Sequence, residues 1–207
     1  CYDKGEGVTL DKAKAFQWYL KAAEKGHVGA MYNVGVCYYK GEGTAQSYTK
    51  AFEWFWKAAN GGNALAMCCV GVCYGKGEGV TQDITKAFEW FLKAANGGNA
   101  DAMNIVGSWF SQGKGTKQDN TEAFEWFLKA AEKEDADAMG NVGVCYDYGK
   151  GVVQDKAKAF EWYLKSADNG NANGMYCVAW DYDEGEGVAQ DKTKAFEWYL
   201  KAANNGH

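Results

Sequence analysis

Two hydrophobic patterns alternate along the chain and then repeat. In residues 27–62, "HVGAMYNVGVCYYKGEGTAQSYTKAFEWFWKAANGG", the first runs from Val28 to about Tyr39. Ala30, Met31, Val34, Gly35 and Tyr38 are spaced by one, three and four, which places them on one face of a helix. The second runs from Tyr48 to about Asn60, with Ala51, Phe52, Phe55, Ala58 and Ala59 as its apolar face. Both recur every 36 residues; the second has copies at 15–23, 51–59, 87–95, 123–131, 159–167 and 195–203. Two short helices cannot bury an amphipathic face alone, but stacked copies bury it against one another. A period of this size therefore predicts an all-α solenoid of 36-residue helix-turn-helix repeats. Residues 1–207 are expected to form a single array of about five and a half to six repeats. Because Cys1-Tyr2 matches Cys37-Tyr38, the sequence opens mid-repeat and is expected to be a piece of a longer protein.

The punctuation between the patterns agrees. Asp11, Ser47, Asp83, Asp119, Asp155 and Asp191 precede each second-type helix and suit its N-cap. Gly26, Gly62, Gly98, Gly170 and Gly206 follow it and suit a left-handed turn. Glu134 replaces that glycine once, so an irregular corner is expected there. Asn63, Asn99, Asp135 and Asn171 then cap the next first-type helix. The small residue at 35, 71, 107 and 143, always Gly, and Ala179 in the last repeat predict close helix packing. Gly-x-Gly between the helices (5, 41, 77, 113, 149 and 185) reads as a turn. A phosphate loop needs a preceding strand and Gly-Lys-Ser/Thr.

Composition narrows the function. All 22 basic residues are lysine, the net charge is −5, and there is no proline. Without arginine or a basic face, nucleic acid is not an expected partner. No run approaches the ~18 apolar residues of a membrane span. Cys1, Cys37, Cys73 and Cys145 share one register. Equivalent helices of adjacent repeats pack about 10 Å apart, beyond the ~7 Å that a disulfide spans. The seven cysteines are therefore expected as buried or half-buried thiols, which favours a reducing compartment such as the cytoplasm.

Candidate chemistry is sparse. His27 and His207 fall in loop or cap positions, and no Ser/His/Asp or Cys/His set emerges. Cys69 and Cys73 lie four apart and could share a soft metal, but structural zinc takes four ligands. Asp181-x-Asp183-x-Gly185 lacks the glycine and terminal glutamate of a calcium loop. No enzyme, metal or cofactor is expected.

Val34-Gly35-x-x-Tyr38 followed by Ala51-Phe52 resembles the tetratricopeptide pattern. Gly79-Val80-Thr81-Gln82-Asp83 and the Lys-Ala-Phe-Glu-Trp-Tyr-x-Lys-Ala-Ala run resemble its cousin, the Sel-one-like repeat, over the entire sequence. The resemblance implies a right-handed α-α superhelix. It also implies an adaptor or scaffold, as in membrane-protein quality control, cell-wall synthase activation, bacterial signalling or host contact. One cysteine-rich branch clamps each repeat with disulfides and has been linked to β-lactam binding. Its clamp positions fall at Ala23 and Met31, so that branch is not supported.

In related folds the first-type helix lines a concave groove. Plotted at about 100° per residue, four positions lie opposite its repeated face. They read Gly29, Tyr32, Asn33, Val36; Leu65, Cys68, Cys69, Val72; Asp101, Asn104, Ile105, Ser108; Asp137, Gly140, Asn141, Val144; and Asn173, Tyr176, Cys177, Trp180. The candidate partner-binding residues are Tyr32, Asn33, Val36, Leu65, Cys68, Asn104, Ile105, Asn141, Tyr176 and Trp180. Aromatic anchors suit a partner, and the same side chains could instead fill a tightly curled groove. Asp147, Asp181, Asp183 and Glu184 either steer a basic ligand or form a solvated turn. On the second-type helices, Glu53–Lys57 and its copies predict ion pairs four residues apart. The ladder Trp18, Trp54, Trp90, Trp126, Trp162, Trp198 reads as packing between repeats, with a ligand ladder as the alternative. Two functions follow: a scaffold that binds a protein or peptide in the groove, or a repeat protein that stacks on itself head-to-tail.

Overall fold

The computed structural model describes residues 11–206. Cys1, Tyr2, the first Gly-x-Gly and His207 lie outside the described residues. The protein divides into two compact units, Cys1–Asn99 and Ala100–His207. The first holds α1 (Lys12–Glu24), α2 (Val28–Lys40), α3 (Tyr48–Asn60), α4 (Ala64–Lys76) and α5 (Ile84–Asn96). The second holds α6 (Ala100–Gln112), α7 (Asn120–Ala131), α8 (Ala136–Tyr148), α9 (Lys156–Asp168), α10 (Ala172–Glu184) and α11 (Lys192–Asn204). Among the described residues there are eleven helices and no strand. Within each unit every helix packs on its sequence neighbours, giving an all-α solenoid of helical hairpins.

The caps form as the sequence dictates. Asp11, Ser47, Asp83, Asp119, Asp155 and Asp191 each accept from a backbone N–H in the first turn of their helix. Asn63, Asp135 and Asn171 do the same for α4, α8 and α10, and His27 Nδ1 does so for α2 at 3.3 Å. The corner at Glu134 departs from its counterparts, since α7 has 12 residues where the other described second-type helices have 13. Glu134 adopts the left-handed φ of 65° itself, alone among the described non-glycine residues, and the turn bonds at Glu134 and Asp135 survive. Local hydrogen bonding holds the turn shape, and the side chain bears the strain.

Val34, Val70, Val106, Val142 and Val178 are each fully buried at the centre of their repeat. The glycine one residue on lets the second helix approach: a Cβ at Gly35 would lie 2.5 Å from the Phe55 ring, and one at Gly143 2.6 Å from Tyr163. Between repeats, phenylalanine on the second helix meets tyrosine on the next first helix edge-on. Phe16–Tyr38, Phe52–Tyr74, Phe124–Tyr146 and Phe160–Tyr182 have ring centres 5.2–5.5 Å apart. Such pairs contribute about 0.5–1.5 kcal/mol beyond the area they bury. The second glycine of Gly-x-Gly is also an inter-repeat contact. A Cβ at Gly79 would lie 2.1 Å from the Tyr48 carbonyl oxygen, and Gly43, Gly151 and Gly187 stand likewise on Lys12, Asn120 and Lys156. Gln46, Gln82, Gln118, Gln154 and Gln190 close each loop, every one donating to a carbonyl in the last turn of the preceding helix.

The outer face differs from expectation. No glutamate–lysine pair four apart closes on the second-type helices among the described residues. Lys57, Lys93, Lys129, Lys165 and Lys201 instead sit over the tryptophan three residues earlier, 3.8–4.4 Å from the ring centre. A tryptophan face attracts an ammonium while the lysine stem covers apolar surface. Trp54, Trp90, Trp126, Trp162 and Trp198 thus form a row of cation–π pairs as well as packing, whereas Trp18 is 60% exposed with Lys21 5.0 Å from its ring.

Candidate functional site

The face that varies between repeats carries a depression in each unit. In residues 1–99 a hollow of about 260 Å³ is lined by Tyr32, Val36, Tyr39, Lys40, Phe55, Cys69 and Val72. It is mostly apolar, because Phe55 reaches its floor over Gly35. Burial, with neighbouring thiols second, pushes the Cys69 thiol up to about 12. It therefore behaves as a small hydrophobe and not as a nucleophile. At the rim, Tyr39 donates to Glu78 at 2.8 Å.

In residues 100–207 a larger depression of about 430 Å³ lies between α6, α8 and α10. Asn104, Asp137, Asn141, Asn171 and Asn173 give it a polar wall, and Tyr163 on α9 forms part of its lining. Asn141 donates to Asn104 at 2.8 Å, and Asn171 donates to Asp137. This half is also acidic, with 18 Asp and Glu against 11 Lys, whereas residues 1–99 carry nine against 11.

Of the residues expected to bind a partner, Tyr32 and Val36 line the first depression, and Asn104 and Asn141 the second. Leu65, Tyr176 and Trp180 are exposed, and Tyr176 packs its ring edge-on to Tyr199 at 5.5 Å. Asn33, Cys68 and Ile105 are half-buried and line neither depression. Reading only the first helix missed Phe55, Tyr163 and Asn171. The repeated glycine was the signal for the two rings, since it admits an aromatic side chain from the second helix to the opposite face. The acidic set is not a free patch. Asp147 pairs with Lys156 at 2.6 Å, Asp183 with Lys192 at 2.7 Å, and Asp181 is buried. Burial, then the Asp147 charge, pushes the Asp181 carboxyl up to about 7.

Cys69, Cys73, Cys145 and Cys177 are thiols outside any disulfide, and no group of three or more His, Cys, Asp or Glu among the described residues could hold a metal ion. No described helix is long and apolar enough to cross a membrane.

Stacked hairpins with a constant core and a variable first-helix face define a repeat protein of the tetratricopeptide-like solenoid class. The chain belongs to the Sel1 repeat family, whose model matches six times, at residues 1–27, 28–63, 64–99, 100–135, 136–171 and 172–207. It is similar to a protective antigen of uropathogenic Escherichia coli strains with an SLR fold: 35% identity, TM-score 0.94, covering 100% of this chain and 44% of that one. A Sel1 repeat protein from Oxalobacter formigenes is 34% identical with a TM-score of 0.86, over 97% of this chain and 80% of that one. An immunity protein from Pseudomonas aeruginosa shares the fold at 19% identity and a TM-score of 0.60, over 99% and 80%. No curated protein matches the sequence. Sel1 repeats generally serve as scaffolds for protein–protein interaction.

Proposed function

We propose that the protein is a non-enzymatic scaffold that binds a partner protein, as a peptide or a helix, in the groove of its first-type helices. One observation supports this above others. The face that varies from repeat to repeat holds a depression in each unit, while the repeated valines and alanines are consumed in packing. A groove held by buried valines and glycine–aromatic contacts is preformed, which lowers the ordering cost of binding. The test is affinity capture from the source lysate with mass spectrometry, beside a Tyr32→Ala/Tyr176→Ala/Trp180→Ala variant of unchanged helicity. A protein held by the first and lost by the second supports the scaffold. Recovery of the bait alone, undiminished in the variant, overturns it.

A further inference from the structure

The depression of residues 100–207 is built for a narrower class of partner than the face as a whole. The Asn141–Asn104 bond holds both amides in place. It leaves Asn104 Nδ2 and Asn141 Oδ1 with no protein partner among the described residues, half-buried at the wall of the depression. That is one donor and one acceptor side by side. An extended peptide offers the complement, a backbone carbonyl and a backbone N–H at each residue. A helix does not, because its backbone groups are bonded to each other.

The charged lining of this depression is negative, although Lys150 lines a smaller hollow that shares Asn141 with it. Asp137 lines the depression, and no lysine does. Asp101 and Asp137 are near enough to Asp135 that their charges add to the effect of burial in raising its carboxyl. Elsewhere in this unit Asp147 and Asp183 are answered by Lys156 and Lys192, but Asp101, Asp135 and Asp137 have no lysine at ion-pair distance among the described residues. We infer that the depression between α6, α8 and α10 takes an extended segment carrying lysine or arginine. The Asn104–Asn141 pair bonds its backbone, and Asp137 faces its cationic side group. This rests on the groove reading above and commits it to an unfolded, basic segment.

The probe is a phage-displayed library of random 12-residue peptides panned on the full protein, with binders resynthesised and measured by fluorescence anisotropy. Enriched sequences are expected to carry two or more lysine or arginine residues. Methylating one backbone nitrogen of the peptide should weaken binding about tenfold, and this change leaves the protein's fold untouched. Asn104→Ala/Asn141→Ala should weaken it to a similar degree at unchanged Tm. Asp137→Asn should weaken it several-fold and flatten its dependence on salt. Binders without cationic residues, or indifferent to both N-methylation and the double asparagine variant, overturn the inference. If those binders are still lost in Tyr176→Ala/Trp180→Ala, the groove reading stands without it. Binders that ignore every variant, or a library that yields none, overturn both.

Discussion

Asp181 stands at the register that Cys37, Cys73 and Cys145 occupy in other repeats, and like them it is buried. Five groups face it: Asp147, Glu186, Cys177, Tyr163 and Lys156, of which the lysine alone favours its charge. Burial and the Asp147 charge raise its carboxyl from 3.8 to about 7. Below about pH 4 the folded and unfolded states both carry this proton, so the group withdraws no stability. Between about 4 and 7 the unfolded state releases a proton that the folded state retains, and stability falls by about 1.4 kcal/mol per pH unit. Above about 7 the loss is complete, at up to about 4 kcal/mol. Asp181→Cys removes the titration and leaves a side group that this register already accommodates. Urea unfolding followed by far-UV circular dichroism under reducing conditions, at pH 4.5, 6 and 7.5, reads the effect. The variant should gain on the native protein steadily across the series and be the more stable by up to about 4 kcal/mol at pH 7.5. A difference that stays constant with pH would refute the reasoning, since no packing change titrates in that window.

Three further substitutions probe the packing by thermal or urea unfolding. Gly35→Ala gains about 1 kcal/mol of helix propensity but drives a methyl into the Phe55 ring, so a net loss of about 1–3 kcal/mol is expected; a net gain would show that the ring yields. Glu134→Gly relieves a left-handed φ of 65° and should stabilise by about 1 kcal/mol, whereas destabilisation would show that the Glu134 side chain has a role of its own. Gly174→Ala sets a Cβ 2.6 Å from Ser166 Oγ and should cost about 1–3 kcal/mol. Adding Ser166→Ala removes the Oγ contact but not the approach to the Cβ at 2.8 Å, so it should recover part of that loss, and strictly additive effects would refute the pairing.

The last of these shows how far the sequence could be read. Ala58, Ala94, Ala130 and Ala202 hold the place of Ser166, and Ala30, Ala66, Ala102 and Ala138 that of Gly174. A larger residue in one register is met by a smaller one in its neighbour, and both deviations are visible in the sequence itself. The helices, caps and core were legible for the same reason: each is set by local rules that the repeat restates. The site was legible only halfway. Helical periodicity finds which first-helix positions leave the core, but it does not say that Phe55 and Tyr163 pass over a glycine to join them. Nor does it say that Asn141 will turn to Asn104, one repeat away in sequence and adjacent in space. The charged face failed for another reason. Glu53–Lys57 spacing permits an ion pair, but Trp54 offers the same ammonium a closer seat.

The inter-repeat glycine also bears on how such a protein is copied. Gly79 stands on Tyr48, Gly151 on Asn120 and Gly187 on Lys156, each pair separated by 31 residues, while Phe52 and Tyr74, like Phe160 and Tyr182, are separated by 22. These two offsets span the seam between repeats and must hold together. A recombination event that adds or removes a whole number of 36-residue cassettes preserves both, wherever the crossover falls. Any other length sets a side chain where only a hydrogen fits against a carbonyl. A gene of this kind can grow or shrink by unequal exchange with these offsets intact, each such seam held in register by one missing methyl group.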